Sequence, residues 1–462
     1  MLRKTLKSAF SLYHRLRRYP LESSIRFLEE SQWWSREKIE EFQNEKLRDL
    51  IIHAYNNVPY YRQIMDEYGL KPSNIQSISD LSKLPILTKK IIRKNYSHLK
   101  AKNINLFRIS EHSSGGSTGD PIRIVADSNS DAWGMACYYR GMSWGGYRDG
   151  DRIVKLSLGS LGLKPKTFSD RLRAFVYGEL AIPAEGLSIH QTQNYHMQIL
   201  KSGANYLRGY PSVICLLIQY FEKTATDHIK LKAVYPTAEM LYDFQREQIQ
   251  KFFSCPVFDC YGSSEVLGLG YECEKNRGYH IPQEHVVIES VQGDATNPVF
   301  YAPGRFLITD LDNYAMPMIR YENGDSGVLS SEECTCGRGL KLISKLYGRV
   351  QDFLIAENGN LIPGNFFPHL FRFTKGIDEF QIVQESRMFL RLLIVNNKFF
   401  DNHERQMVVG TIKRYFGSGM RTEIEPVKEI PKTKAGKKRL TICKIADQYG
   451  INERINLARI NE

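Results

Sequence analysis

The pattern of apolar and polar positions predicts helices and strands that alternate along the chain. Apolar residues that recur every three to four positions indicate helical structure over residues 24–66, broken at Val58-Pro59. Thr88 is a candidate N-cap of a later helix. Further predicted helices are Trp133–Trp144, Tyr195–Ser202 and Val213–Thr224, and predicted strands are Ile122–Val125, Arg152–Leu158 and Leu231–Pro236. This alternation favours an α/β fold.

Three polar turns lie near the ends of predicted strands. Ala238-Glu239 follows the strand that ends at Pro236, and Tyr261–Glu265 follows an apolar run from Pro256. Tyr321–Asp325 has a similar form. Because binding residues of α/β proteins gather at the carboxyl ends of strands, we expect the three turns to line one cleft. Carboxylates there can ligate Mg²⁺ or accept from ribose hydroxyls, and a simple turn-capping role stays open for each.

A loop rich in glycine and hydroxyl residues, 113–121, precedes the strand at Ile122. Glycine lets backbone N–H groups approach an anion closely, and serine and threonine hydroxyls donate to phosphate oxygens. The loop lacks the Gly-Lys-Ser/Thr sequence of a Walker A motif. Phosphate binding and a plain hairpin turn are therefore both open for this loop.

Length and composition describe a globular protein of several domains. A chain of 462 residues exceeds one ordinary core, so two or three domains are expected. The longest apolar run, Val213–Phe221, is too short to span a bilayer, and no secretory signal is visible. Eight cysteines are too few for a disulfide scaffold in a chain this long, which indicates a reducing, cytoplasmic environment.

The formal net charge of +12 raises the question of an anionic partner. Basic residues alternate with apolar ones between Leu2 and Arg18, as in an amphipathic helix. We expect this helix to dock on the body of the protein, and peripheral contact with an anionic membrane stays a minor alternative. No nucleic-acid-binding signature is present, so nucleic acid is not an expected partner.

Two further groups of residues carry candidate chemistry. Cys273, His280, Cys334 and Cys336 are ligands that zinc prefers, and four protein ligands would make a zinc ion structural. Four reduced, unligated side chains are the open alternative. Lys437 follows a glycine in a basic loop near the C-terminus, where a lysine either is solvated or neutralises charge on a transferring group.

Taken together, these stretches resemble the adenylate-forming superfamily of acyl-CoA synthetases, peptide-synthetase adenylation domains and luciferases. They are most similar to the phenylacetate–CoA ligase family and its relatives in capsular polysaccharide biosynthesis. The likeness covers most of the chain, from Leu47 to Lys437. It depends on the order of the motifs, which are the glycine loop, Ala238-Glu239, Tyr261–Glu265, Tyr321–Asp325, Gly348-Arg349 and Gly436-Lys437.

The resemblance implies a ligase that uses ATP and Mg²⁺ to convert an acid into acyl-AMP and pyrophosphate. Lys437 would stabilise attack of the carboxylate on the α-phosphate, and Glu265 would ligate Mg²⁺. The other implied ATP-binding residues are Ser114, Gly115, Gly116, Ser117, Thr118, Gly119, Ala238, Glu239, Tyr261, Gly262, Ser263 and the ribose-binding pair Asp325 and Arg349. Tyr210 and Tyr235 are expected in the acid pocket, where aromatic walls suit an aryl or apolar acid.

The resemblance also implies two domains of unequal size. Residues 1–349 would form a large N-terminal adenylation domain with mixed sheets, and residues 350–462 a small, mobile α+β domain that carries Lys437. Rotation of the small domain would present a second face for acyl transfer. The family commonly has an acidic hinge residue two positions after the arginine, but this chain has Gln351 there and Asp352 next, so the pivot stays open.

The acceptor of the acyl group also stays open. A CoA thiol is expected from the named family, whereas an amine would give an amide in surface polysaccharide biosynthesis. A non-catalytic nucleotide-binding or membrane-surface scaffold is a third possibility. The presence of Glu265, Asp325 and Lys437 argues against a scaffold, because degenerate copies tend to lose such residues first.

Overall fold

The computed structural model describes residues 6, 8, 10, 12, 14, 19–113, 122–157, 167–183, 189–224, 229–292, 297–349, 353–359, 361–363, 367, 374, 376–431 and 438–445. Its α-helices are α1 Leu21–Ser31, α2 Arg36–Asn57, α3 Pro59–Glu67, α4 Lys89–Lys94, α5 Ser128–Trp144, α6 Phe168–Val176, α7 Ile189–Ser202, α8 Pro211–Thr224, α9 Asp243–Phe253 and α10 Asn402–Phe416. Short 3₁₀ helices lie at Pro72–Asn74, Ile78–Lys83 and Ile104–Leu106.

The strands form several sheets. They are β1 Ile109–Ser113, β2 Arg123–Asp127, β3 Ile153–Ser157, β4 Glu179–Pro183, β5 Tyr206–Gly209, β6 Ala233–Pro236, β7 Cys260–Tyr261, β8 Gly270–Glu272, β9 Tyr279–His280, β10 Val286–Val291, β11 Pro303–Asp310, β12 Tyr321–Ser330, β13 Leu342–Arg349, β14 Phe353–Ile355, β15 Leu361–Pro363, β16 Ile377–Ser386, β17 Phe389–Asn396, β18 Arg421–Pro426 and β19 Thr441–Cys443. Helices and sheets alternate through the middle of the chain, which confirms the α/β prediction.

Most predicted elements are present, although some of their ends differ. The predicted helical region 24–66 is divided into α1, α2 and α3, with the second break before Pro59 as expected. Thr88 caps α4, because its side chain accepts a hydrogen bond from the Ile91 N–H. Helix α5 begins at Ser128, earlier than predicted, because the Asp127 carboxylate accepts from the first N–H groups of the helix.

A parallel sheet in the strand order β4-β3-β5-β6 organises the middle of the chain. Helices α7, α8 and α9 pack on one face, and α1 and α5 pack on the other. Bridges Val234–Val257 and Thr237–Cys260 extend the sheet toward β7. Strand β7 also pairs with β8 of a second sheet, so the turn after Tyr261 lies where two sheets meet.

The second sheet has the order β10-β11-β12-β13-β9-β8-β7. It corrects the prediction of a turn at Tyr321–Asp325, because these residues begin strand β12 instead of following a strand. Strands β11 and β13 pair with β12 on both sides, and Asp325 lies opposite Arg349. This segment contains Gly324, whose φ is +89°. Ladder hydrogen bonds from the two neighbouring strands nevertheless keep the segment extended.

A third sheet, β18-β17-β16-β19, packs against α10 and has its own hydrophobic core. The core draws on residues from Leu354 to Ile445. Strands β14 and β15 form a separate antiparallel pair before it. The predicted domain boundary at residue 349 remains a prediction.

Three described positions near the N-terminus pack on the body of the protein. Leu6, Phe10 and His14 recur every fourth residue and are buried. The Phe10 ring contacts Tyr139 and Tyr177 edge-on, at centroid distances of 5.5 and 5.4 Å. This packing agrees with the docked-helix interpretation. Among the residues that the structure describes, no helix is both long and apolar enough to cross a bilayer.

Candidate active site

A cavity of about 280 Å³ lies beyond the carboxyl edge of the parallel sheet. Its walls come from α8 and α9, from the segments after β6 and β7, and from β12, β13 and the C-terminal sheet. Predicted site residues in its lining are Ala238, Glu239, Tyr261, Gly262 and Asp325. The structure thus brings the three polar segments to one cavity, although one of them is a strand.

Glu239 connects the parallel sheet to the C-terminal part of the chain. Its carboxylate accepts a hydrogen bond from the Ser212 N–H at 3.2 Å and another from the Lys438 N–H at 3.3 Å. The preceding Ala238 has a φ of +68°, a left-handed conformation that is costly for a residue other than glycine. Glu239 thus has one partner at the start of α8 and one in the segment that carries Lys438.

Tyr261 and Asp325 form a hydrogen-bonded pair in the cavity wall. The Tyr261 hydroxyl donates to Asp325 Oδ2 at 2.8 Å, and Asn323 Nδ2 donates to both the Tyr261 oxygen at 2.9 Å and Asp325 Oδ2 at 2.6 Å. Sequence reasoning missed Asn323. Its signal was present, since Tyr321, Asn323 and Asp325 alternate along one face of β12.

Glu265 is a nearly buried carboxylate whose described partners are hydroxyl groups. Ser264 Oγ donates to one carboxylate oxygen at 3.0 Å and the Tyr321 hydroxyl to the other at 3.3 Å. Ser263 Oγ accepts from the Glu265 and Val266 N–H groups and so shapes the turn. Among the described side chains, no basic residue pairs with Glu265. Its oxygens therefore retain lone pairs suited to a hard cation such as Mg²⁺.

Several predicted residues lie outside the described part of the structure. These are the glycine-loop residues Ser114–Gly119, the side chain of Arg349, the hinge candidates Gln351 and Asp352, and Lys437. The strands on either side of the glycine loop form an antiparallel pair, with Ser113 opposite Arg123. Lys438, the neighbour of Lys437, lines the cavity, and its ammonium group pairs with Glu379 at 2.6 Å.

The two tyrosines predicted for the acid pocket are completely buried. The Tyr235 hydroxyl donates to the Met142 carbonyl at 2.6 Å, and the ring packs near Phe258. Tyr210 belongs to the core on the other face of the parallel sheet. Neither residue is among those that line the cavity of about 280 Å³, and their role in binding the acid remains a prediction.

Asp259 is a buried carboxyl beside the cavity that sequence reasoning did not identify. It accepts from the Tyr279 hydroxyl at 2.6 Å and from the Cys260 N–H at 2.9 Å. Burial, followed by the nearby charge of Glu272, raises the pKa of Asp259 well above its ordinary value. Arg246 pairs with Glu272 at 2.7 Å and opposes that shift only in part.

The four predicted zinc ligands converge at a second place in the structure. The ligand atoms of Cys273, His280, Cys334 and Cys336 all lie within 4.8 Å of one another. The Cys273 and Cys334 sulfurs are 3.7 Å apart, and Cys336 Sγ is 3.4 Å from His280 Nε2. Tetrahedral zinc, with bonds of about 2.3 Å to sulfur and 2.0 Å to nitrogen, requires separations of about 3.8 and 3.5 Å. The donor set therefore fits zinc.

Local structure prepares these side chains for a metal. Gly337 has a φ of +84°, which allows the tight turn that brings the two neighbouring cysteines to one side. Burial, followed by the charge of Arg338, lowers the pKa of His280 to about 4. The imidazole is therefore neutral near pH 7, and only the neutral form offers a nitrogen lone pair to a metal.

The fold is that of the adenylate-forming ligases. A crystal structure of 2-hydroxyisobutyryl-CoA ligase, in the postadenylation state with R3-HIB-AMP, aligns with a TM-score of 0.73. The alignment covers 92% of this chain and 95% of that chain at 19% sequence identity. At that identity the likeness shows the fold, in which a large N-terminal part precedes a small C-terminal part.

The sequence relatives are phenylacetate-coenzyme A ligases and CapK. The chain is 28% identical over 365 residues to the phenylacetate-coenzyme A ligase of Thermus thermophilus, covering 75% of this chain and 78% of that protein. It is 25% identical over 421 residues to Protein CapK of Staphylococcus aureus, covering 88% and 89%. Residues 354–444 match the model of the CapK C-terminal domain. These findings confirm the resemblance that the motif order predicted.

Proposed function

We propose that the protein activates a carboxylic acid as acyl-AMP with ATP and Mg²⁺ and then transfers the acyl group to an acceptor, with the CoA thiol as first choice. The observation that carries this proposal is the contact of the Lys438 backbone with Glu239 at the cavity. This contact holds Lys438, the chain neighbour of the predicted catalytic lysine, at the cavity that Tyr261 and Asp325 also line. A reaction between a carboxylate and a polyphosphate requires hydrogen-bond donors and cations around both reactants at one place, because both reactants are anions.

Each proposed role follows from the chemistry of the position. Asp325, supported by Asn323 and Tyr261, accepts from ribose hydroxyls, and the Arg349 guanidinium donates to the ribose oxygens. The Ala238-Glu239 turn contacts the adenine. Glu265 ligates the Mg²⁺ that neutralises the phosphates, since its described partners are neutral hydroxyls. The residues of the glycine loop, Ser114–Gly119, supply N–H and hydroxyl donors to the β- and γ-phosphates.

Lys437 stabilises the charge that develops as the acid attacks the α-phosphate. After adenylation, the domain of residues 350–462 rotates about a pivot near Gln351 and Asp352 and presents its second face to the acceptor. The hydrogen bond from the Lys438 N–H to Glu239, with a separation of 3.3 Å, is long, and such a rotation would break it.

An amine acceptor, giving an amide in surface polysaccharide biosynthesis, is the second candidate. The match of residues 354–444 to the CapK C-terminal domain favours it, because the small domain supplies the face for the second half-reaction. Pyrophosphate release, measured across aryl, fatty, amino and sugar acids with CoA or candidate amines, tests both. The acceptor that converts one burst into steady turnover identifies the reaction. Absence of release with every acid contradicts the proposal.

Lys437→Ala tests the catalytic role directly. We expect acyl-AMP formation, trapped with hydroxylamine, to fall by about 100-fold or more, since a group that stabilises transition-state charge contributes on that order. The melting temperature should stay unchanged. Lys434→Ala, in the same basic loop, is the matched control and should retain activity. Acyl-AMP formation at the wild-type rate in Lys437→Ala would remove the assigned role.

We also propose that Cys273, His280, Cys334 and Cys336 hold a structural zinc ion. The separations between their donor atoms and the neutral His280 support this assignment. Four protein ligands leave no open position for a substrate. The ion would therefore fasten the segment after β8 to the segment before β13.

A further inference from the structure

Helix α6, Phe168–Val176, carries an apolar stripe that faces solvent. Phe168, Leu172 and Phe175 follow one another at intervals of four and three residues, so they lie on one side of the helix. Their exposed fractions are 83%, 45% and 49%. Val176, at the end of the same helix, is buried and packs in the core beside the parallel sheet. A single exposed apolar side chain needs no explanation, whereas three that form a continuous stripe indicate a surface that another molecule covers.

Positive charge lies beside this stripe. Arg171 follows Phe168 by three residues and precedes Phe175 by four, so it borders the stripe on the helix surface. Arg171 and Arg173 are both exposed, and Asp170 is the one acidic residue of the helix. The exposed part of α6 therefore combines apolar side chains with a net positive charge.

The N-terminal segment of the chain meets the end of α6 at Tyr177. The Tyr177 ring contacts Phe10 and His14 edge-on, at centroid distances of 5.4 and 5.6 Å. Phe10 and His14 are buried, whereas Leu12 is 57% exposed. Residues 1–18 contain six basic residues and no acidic one, which is half of the net charge of +12. Because its buried side chains lie against Tyr177, this strongly basic segment adds positive charge near α6.

Size and charge decide what covers the stripe. The exposed parts of its three side chains amount to about 300–400 Å², since a whole aromatic side chain has about 150–250 Å² of surface. A stable interface between two proteins requires about 800 Å² from each partner. A second copy of this chain would in addition bring like charges together. An anionic lipid surface avoids both difficulties, because it takes up a few apolar side chains and attracts the basic residues beside them.

We propose that α6, together with the basic N-terminal segment, binds the surface of an anionic lipid membrane. Phe168, Leu172 and Phe175 insert at the boundary between headgroups and acyl chains, and Arg171 and Arg173 contact the lipid phosphates. The contact is peripheral and reversible, because it depends on a small apolar area and on charge. None of these five residues lines the cavity of about 280 Å³, so the inference does not depend on the proposed ligase function.

Co-sedimentation of the full-length protein with lipid vesicles tests the proposal. One set of vesicles contains phosphatidylcholine alone, and the other contains an equal mixture of phosphatidylcholine and phosphatidylglycerol. We expect binding to the anionic vesicles to be about 10-fold tighter or more, because several basic residues lie near the lipid phosphates. Raising the salt concentration from about 0.1 M to about 1 M should remove most of that difference, since the screening length falls from about 10 Å to about 3 Å.

Two double variants separate the apolar stripe from the charge. Phe168→Ser with Phe175→Ser keeps the net charge and should weaken binding to the anionic vesicles by about 10-fold or more. Arg171→Gln with Arg173→Gln keeps the stripe and should weaken that binding by about 10-fold. Phe399→Ser is the matched control and should bind as wild type does, since Phe399 is 58% exposed in the segment between β17 and α10. Each variant should keep the wild-type melting temperature, because the replaced side chains are exposed.

Three results would overturn the proposal. Equal binding to neutral and anionic vesicles, or binding to neither, would exclude an anionic membrane as the partner. Undiminished binding of the Phe168→Ser, Phe175→Ser variant would show that net charge alone attracts the protein. Self-association of the wild type that this variant abolishes, without vesicle binding, would show that a second copy of the chain covers the stripe. None of these measurements uses pyrophosphate release, so failure of the proposed function would leave the membrane contact standing.

Discussion

Burial decides the chemistry of single charged residues beside the cavity. Asp259 and Asp325 are both nearly buried carboxyls within the same lining, yet their surroundings differ. Asp259 faces the neighbouring carboxylate of Glu272, whereas the donors at Asp325 are the hydroxyl of Tyr261 and the amide of Asn323. The first environment disfavours a charge on Asp259 and raises its pKa. Asp259 lies two residues before Tyr261 and Asp325 ends the segment Tyr321–Asp325, and the sequence by itself does not distinguish the surroundings of the two carboxyls.

Asp259→Asn should change how stability depends on pH. The folded-state pKa of Asp259 is raised above the value of about 3.9 in the unfolded chain, so its stabilising contribution is complete below that pH and decreases as pH rises. Asparagine cannot ionise. Relative to wild type, the variant should therefore gain about 1–3 kcal/mol between pH 5 and pH 8.

Thermal melting across that pH range provides the measurement. Glu41→Gln, on the exposed side of α2, is the control and should follow the wild-type curve. Parallel curves for wild type and Asp259→Asn would show that Asp259 is already ionised in the folded protein.

At the scale of elements, strand pairing brings together the predicted zinc ligands, which lie in or beside strands that are far apart in the sequence. Cys273 follows β8, His280 ends β9, and Cys334 lies between β12 and β13. Strand β13 pairs with β9, with Leu342 opposite His280, and this pairing brings the cluster together. The ladder brings the four ligand side chains to one place, and zinc would add a further link to the short strands β8 and β9.

Cys336→Ser should abolish stoichiometric zinc and lower the melting temperature. Serine oxygen is a poor zinc ligand, and loss of one of four ligands leaves the remaining three weakly bound to the metal. Elemental analysis of purified protein gives the zinc content, expected at one ion per chain in wild type. Cys255→Ser, a buried cysteine outside the cluster, should retain the ion. Wild-type protein purified without zinc and insensitive to chelators would exclude a structural ion.

At the scale of the whole molecule, a buried ion pair connects layers that are remote in sequence. Arg140 of α5 donates to both carboxylate oxygens of Glu284, at 2.6 and 3.3 Å, and neither side chain is exposed. Ser31 at the end of α1 donates to the same carboxylate at 2.6 Å. The pair therefore fixes α1 and α5 to the segment that leads into β10 and the second sheet.

Arg140→Leu should destabilise the protein by about 3–5 kcal/mol, because it leaves the Glu284 carboxylate buried without its charge partner. The double variant Arg140→Leu with Glu284→Leu should recover most of that loss, since it removes both charges. Urea unfolding of the two single variants and the double variant measures the coupling. Additive losses would show that the two residues act independently.

The sequence alone determined the features that depend on local chemistry. Periodicity located the helices near Trp133 and Val213, and the hydroxyl of Thr88 identified a helix start, because these signals require only neighbouring residues. The order of short motifs was sufficient to predict the adenylate-forming fold, which the comparisons confirm.

Tertiary structure decided what depends on residues far apart in the chain. The segment Tyr321–Asp325 has the composition of a turn, but pairing with β11 and β13 makes it a strand. The alternation of Tyr321, Asn323 and Asp325 became visible only once the strand was known, because the significance of Asn323 comes from the Tyr261 and Asp325 groups that it contacts. Burial and hydrogen-bond pairing are properties of the assembled fold, and they set the charge and direction of a side chain that its identity alone leaves undetermined.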